Sequence, residues 1–251
     1  MMQEVLDTAL SIDNLRVQFG GVVALDGVDL TVGYGRRHGI LGPNGSGKTT
    51  LFNAICGLNS PSNGTIELFG ENVTRMPPHA RARRGLARTF QITSLFPTLS
   101  VFENVAMAAR VLDGSDRGWW TASTRLEGAN TTASGMLDRL GLTHLAHRSV
   151  RSLGYGEQRQ LEIALALATG PRILLLDEPT AGLSAAETDA VTQLVHGLPR
   201  DLTVLIIEHD LGVIFDLTDH LTVLQNGRRI ADGPSSEIRH DPVVKAVYLG
   251  Q

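Results

Sequence analysis

The chain has 251 residues, of which 42% are hydrophobic and 19% charged, and its formal net charge is −4. That length suits one large α/β domain or a core with a small subdomain, with ample apolar material for a buried interior. The acidic balance argues against a nucleic-acid binder, which carries a basic face, and the single cysteine, Cys56, excludes a disulfide framework and suits a reducing cytoplasm. Residues 1–10 contain Glu4 and Asp7 but no basic residue, so no secretory signal is expected. No stretch approaches the roughly 18 apolar residues that span a bilayer, so a soluble chain is expected, with any membrane role supplied by a partner. Of 22 basic residues only Lys48 and Lys245 are lysine.

In chain order, residues 9–19 and 22–32 alternate apolar and polar side chains around Gly20-Gly21 and read as two strands. A short strand at 38–41 runs into a glycine-rich loop and a helix over 47–56. Residues 65–69 and 86–90 are further strand candidates. From 100 to 140 the pattern turns helical, with a Gly/Ser/Thr-rich stretch at 113–135 expected to be a loop that Trp119 and Trp120 help to pack. A helix over 157–168 leads to a strand at 173–176, and a helix over 185–198 to a strand at 203–207. Both strands are unbroken apolar runs, as central parallel strands covered on both faces require. Residues 221–224, the turn Asn226-Gly227, residues 228–231 and a short helix complete the chain, with no internal repeat. Open parallel sheets bind ligands beyond the carboxyl ends of their strands. Three apolar strands end there in polar groups: the glycine loop after Ile40, Asp177-Glu178 after Leu176, and Glu208-His209 after Ile207.

Gly42-Pro43-Asn44-Gly45-Ser46-Gly47-Lys48-Thr49, followed by Thr50, matches the P-loop pattern between a strand and a helix. Glycines allow a tight loop whose N–H groups close on phosphates, and the helix directs its positive end at the same anion. Lys48 would reach the β- and γ-phosphates as a compact charge, where arginine's planar fork would not fit, and Thr49 would offer its hydroxyl to Mg²⁺. Asp177, ending an apolar strand, is a second candidate for the Mg²⁺ shell, and Glu178 is a candidate base for the attacking water. The plainer alternatives are a glycine turn at a helix start and acids that cap the turn before Pro179.

The P-loop, the segment Leu153-Gly154-Tyr155-Gly156-Glu157-Gln158, the Asp177-Glu178 pair and His209 occur in the order seen in ABC ATPases, and the resemblance spans nearly the whole chain. It implies an α/β fold: a P-loop NTPase (RecA-like) core with an N-terminal antiparallel β subdomain and an α-helical subdomain, divided as core at 1–91 and 156–251 and helical part at 92–155. By resemblance the segment from Leu153 to Glu157 caps the ATP of an opposite subunit, Gln91 touches Mg²⁺ and water, His209 meets the γ-phosphate, and Phe19 stacks on adenine. Ala181-Gly182-Leu183-Ser184 resembles the D-loop. Two departures stand out: Gly154 replaces the signature serine and Ser184 the D-loop aspartate. Taken singly, Gln91 could be a solvated strand end, His209 a structural histidine, and Phe19 and Cys56 core. Arg81, Arg83 and Arg84 read as a solvated helix face.

The stretches Ala87-Arg88-Thr89-Phe90-Gln91 and Leu95-Phe96-Pro97-Thr98-Leu99-Ser100-Val101-Phe102-Glu103-Asn104-Val105, with Tyr155-Gly156-Glu157-Gln158 and Tyr248-Leu249-Gly250, resemble ATPases of branched-chain amino acid importers, the LivG-type group in particular. Relatives serving urea, amides or other hydrophobic amino acids share these marks, and a lipopolysaccharide-export ATPase lies nearby in resemblance. The resemblance implies a peripheral cytoplasmic ATPase that uses ATP and Mg²⁺. Its expected partners are two permease subunits, a second ATPase and, indirectly, an extracytoplasmic solute-binding protein. A soluble ABC ATPase of DNA repair or translation is the alternative of another class. The segment from Gln91 to Leu99 is expected to dock the permease, or else to fill the chain's own core.

Overall fold

A computed structural model describes residues 8–89, 95–110 and 122–249. Strands β1 (Thr8–Phe19), β2 (Val22–Gly33), β4 (Asn63–Leu68) and β5 (Glu71–Asn72) form an antiparallel sheet in the order β2-β1-β4-β5. Strands β3 (Arg37–Leu41), β6 (Leu86–Arg88), β7 (Ile173–Asp177), β8 (Thr203–Ile207), β9 (His220–Gln225) and β10 (Arg228–Pro234) form the second, in the order β10-β9-β3-β8-β7-β6. In it only β10 runs antiparallel to its neighbour. The helices are α1 (Lys48–Cys56), α2 (Pro78–Ala82), α3 (Val101–Ala109), α4 (Ala122–Arg139), α5 (Tyr155–Ala168), α6 (Ala185–His196), α7 (Leu211–Leu217), α8 (Ser235–Ile238) and α9 (Pro242–Leu249).

The unbroken apolar strands divide their side chains between two interiors because successive residues point to opposite faces. Ile173 and Leu175 of β7, with Leu205 and Ile207 of β8, face a core shared with α1 and the antiparallel sheet. Leu174 and Leu176, with Val204 and Ile206, face a second core built from α3, α4, α5 and α6. This double burial stacks β3, β8 and β7 side by side and brings their carboxyl ends to one rim.

Two expectations fail. The stretch expected as a loop is helical from residue 122 onward, as α4. Its buried stripe is Ala129, Ala133 and Leu137, spaced four residues apart along one helix face, and small side chains disguise that period among the polar ones. Trp119 and Trp120 lie outside the described residues. Arg81 is not solvated: it is 1% exposed. Its guanidinium donates to the carbonyls of Ala54 (2.6 Å), Ile55 (2.7 Å), Thr74 (3.0 Å) and Met76 (3.0 Å). Carbonyls at a helix end lack intrahelical donors; Ala54 O also takes the Gly57 N–H at 3.1 Å, whereas Ile55 O is served by this guanidinium. Arg83 is exposed and Arg84 pairs with Glu71. Cys56 packs partly buried against the core, and burial pushes its thiol up. The short elements α2, α7, α8 and β5 were not legible as periodic segments. Among the described residues, no helix is long and apolar enough to cross a membrane.

Candidate functional site

Between β3 and α1 the chain makes a loop that glycine alone permits. Gly47 has φ 105°, and a Cβ there would lie 2.8 Å from the Ala24 carbonyl. A Cβ on Gly42 would come 2.4 Å from Ser46 Oγ. Asn44 and Gly45 form the exposed crest, with Pro43 half-buried before them. Ser46 is buried, and its Oγ has no hydrogen-bond partner. Lys48, 7% exposed, donates from Nζ to the carbonyls of Gly42 (2.7 Å) and Pro43 (3.1 Å). Burial pulls its pKa below the ordinary lysine value, while Glu178 and Asp177 oppose that shift. Thr49 is exposed and Thr50 half-buried in the first turn of α1.

At the end of β7, Asp177 is buried and its Oδ2 accepts from Arg88 Nη2 at 2.5 Å. Arg88 also donates to Asn53 Oδ1. Asp177 Oδ1 is buried with no hydrogen-bond partner, so one oxygen is fixed and the other is free to ligate. Among the described residues no group of three or more His, Cys, Asp or Glu gathers as a metal cage.

Glu178 takes a left-handed backbone (φ 47°), uncommon outside glycine. Its N–H donates to Ile207 O (2.9 Å), which fastens it to β8. His209, two residues beyond, is 59% exposed and its Nδ1 lies 4.0 Å from Glu178 Oε2. Phe19 is 50% exposed at the tip of the β1–β2 hairpin, opposite Val22. It is therefore not core. Gln91 lies outside the described residues.

The Gly154 segment opens α5, with Gly154 as N-cap and Tyr155 as first residue. Glu157 Oε2 accepts from Gly154 N–H (2.8 Å), and Arg148 pairs with the other oxygen of Glu157. Tyr155 is exposed beneath Arg159, which donates to its hydroxyl. The Gly156 amide turns toward α6. It is buried and donates to Glu187 Oε1 of α6 at 3.0 Å. Glu187 Oε2 takes the N–H and hydroxyl of Ser184, the N-cap of α6. These bonds, the Ser184 hydroxyl first, hold the Glu187 carboxyl below the usual carboxylate range.

Three residues of the site, Arg88, Glu187 and Glu208, were given no role from the sequence. Glu187 had a signal, the Ser-x-x-Glu capping pattern at 184–187. Arg88 and Glu208 meet partners remote in sequence.

A glycine loop between a strand and a helix, with acids on neighbouring strand ends, is the architecture of a P-loop nucleotide-binding protein. The model of the ABC transporter family matches residues 25–181, and a model described as branched-chain amino acid ATP-binding cassette transporter matches residues 228–251. The chain is 40% identical over 250 residues to the high-affinity branched-chain amino acid transport ATP-binding protein BraF of Pseudomonas aeruginosa, covering 96% of this chain and 98% of BraF. It is 38% identical over 249 residues to LivG of Escherichia coli K12, a protein of the same description, covering 96% and 98%. A crystallised ATP-binding cassette of an ABC transporter in its ADP conformation superposes with a TM-score of 0.85 at 31% identity, covering 97% of this chain and 99% of that one. The chain belongs to the ABC transporter family, as an ATP-binding and ATP-hydrolysing subunit that serves a membrane transporter.

Proposed function

We propose that this chain powers an importer of branched-chain or other hydrophobic amino acids, with the chemistry carried by Lys48, Asp177, Glu178 and His209. The observation that carries the site is the convergence of these residues on the adjacent ends of β3, β7 and β8. The amino-acid assignment rests on the likeness to BraF and LivG along the whole chain. Residues Gly42 to Thr50 hold the phosphates, with Lys48 on the β- and γ-phosphates, and Phe19 stacks on adenine. Thr49 and Asp177, with Gln91, would hold Mg²⁺, and the unpartnered Asp177 Oδ1 fits that part. When bound, the metal neutralises phosphate charge. Glu178 orients water and accepts its proton, and His209 meets the γ-phosphate.

In this reading two ATPase subunits, this chain and a related one, close on ATP. The segment from Gly154 to Glu157 of one subunit then meets the nucleotide of the other. The core spans 1–91 and 156–251 and the helical part 92–155. Two permease subunits receive the motion at the inner face of the membrane, and a solute-binding protein delivers the cargo outside. The side chains around Phe96 support a docking role. Leu95 packs against the core, whereas Phe96 is 50% exposed and its backbone N–H and C=O are both held by the buried Asn104.

Glu178→Gln tests the assignment. Its amide cannot accept the proton, so turnover should fall by roughly 10²-fold or more, within the usual range for a general base. ATP binding should persist, trapping a closed dimer visible by size exclusion. Near-normal hydrolysis would remove Glu178 from the role of base.

A further inference from the structure

Glu208 follows β8 and is 0% exposed. A buried carboxylate is retained only where donors replace its water. Three do so here. Thr180 gives Oε1 both its N–H (2.9 Å) and its hydroxyl (2.5 Å), and His209 gives Oε2 its N–H (3.1 Å). Thr180 lies two residues after Glu178, in a turn closed by Ala181 N–H donating to Glu178 O. One carboxylate therefore grips the loop that carries Glu178 and the backbone of His209 together.

We infer that Glu208 is a positioning residue for hydrolysis, clamping Glu178 and His209 into one rigid pair. The strained backbone of Glu178, φ 47°, points the same way, since such a conformation persists only where its surroundings over-determine it. All three hydrogen bonds use the carboxyl oxygens as acceptors. Glu208→Gln keeps the shape but turns one oxygen into a donor. If that NH₂ faces His209 N–H, the histidine is released. If it faces Thr180 N–H, the loop of Glu178 is released. Neither orientation preserves both grips.

The inference rests on Glu178 and His209 acting as proposed above, and the experiment separates the two failures. In the full-length chain, Glu208→Gln should lower kcat by about 10²-fold, the cost of a small misplacement of a reacting group, with KM and the Kd for ATP within about threefold of wild type. Thr180→Val, which keeps the N–H but drops the hydroxyl, should lower kcat by about tenfold, as the loss of a hydrogen bond to a charged acceptor implies. Thr180→Ser should restore it. In a Glu178→Gln background Glu208→Gln should lower residual hydrolysis no further, because both act on one step.

Glu208→Gln and Thr180→Val turning over within about threefold of wild type, beside an inactive Glu178→Gln, would overturn the clamp and leave the base assignment standing. An active Glu178→Gln would instead overturn the base assignment. A kcat loss accompanied by an equal loss of ATP affinity, or a fall in Tm with kcat unchanged, would reduce Glu208 to a structural role and overturn the clamp as well. Should Glu208→Gln not fold, the contrast between Thr180→Val and Thr180→Ser decides.

Discussion

Replacing Arg81 by methionine keeps most of the buried stem and removes four donors at once. Two of the carbonyls it serves, Ala54 O and Ile55 O, are buried bonds at the end of α1, while Thr74 O and Met76 O are partly buried. Leaving a buried acceptor unsatisfied costs about 1–3 kcal/mol; Ala54 O keeps the Gly57 N–H at 3.1 Å, so the Ile55 carbonyl alone implies a loss of about 2 kcal/mol. That is a large fraction of the ~5–15 kcal/mol typical of a folded domain. Arg81→Lys should fall between, because one ammonium has three donors where the guanidinium has five in a fixed fork. Urea unfolding followed by far-UV circular dichroism measures both. Because α1 carries Lys48 at its other end, ATP affinity should weaken in the same order. An Arg81→Met chain within about 1 kcal/mol of wild type would refute the view that this arginine caps the phosphate-binding helix.

Lys48→Arg should bind a fluorescent ATP analogue as poorly as Lys48→Ala, because the pocket formed by the Gly42 and Pro43 carbonyls fits a compact ammonium; wild-type affinity in the arginine variant would contradict this. Gly154→Ser should be tolerated in steady-state ATPase assays, since the nearest atom to an added Cβ is 3.8 Å away, whereas Gly156→Ala should melt earlier, its Cβ meeting Glu187 Cγ at 2.6 Å; equal melting temperatures would sink the contrast. His38 is pushed down from 6.5 to about 4 by burial first and by neighbouring His220 next, against the attraction of Asp232. Its contribution is intact above pH 6.5 and is lost as pH falls toward 4, because the unfolded chain takes up a proton the folded one refuses, worth about 3 kcal/mol in all. The urea midpoint of wild type should therefore drop more than that of His38→Gln between pH 7.5 and 4.5, and parallel drops would argue against it.

The layered core was legible because its signal is local. Apolar runs at 173–176 and 203–207 have no polar face to spare, so helices or a second sheet must cover both sides, and the two cores do so. The P-loop was legible for a related reason: its glycines, lysine and flanking strand and helix are contiguous. Arg81 was misread because neighbouring arginines suggest a wet face, and nothing nearby in sequence announces the end of α1, 26 and 27 residues earlier. Arg88 and Asp177 are 89 residues apart, and Thr180 and Glu208 are 28 apart. Ion pairs and clamps of this kind exist only once the sheet has ordered its strands, and a single sequence carries no trace of the pairing.

Of the two departures from the family pattern, Ser184 acquires a meaning from Glu187. Considered singly, Gly154 lacks a hydroxyl for the nucleotide, and Ser184 lacks the charge of an aspartate. In the fold, Ser184 caps α6 and holds one oxygen of Glu187, while the other oxygen takes the amide of Gly156 in the first turn of α5. The start of α5 and the loop before α6 are thereby joined within one chain, through a carboxylate whose lowered pKa keeps it charged. A negative side chain at the first turn of each helix also complements both helix dipoles. Serine at 184 suits this better than aspartate, because its hydroxyl donates to Glu187 where a second carboxylate would repel it. Ser184, a departure from the D-loop pattern, is in the folded chain the donor that fixes Glu187 between two helices.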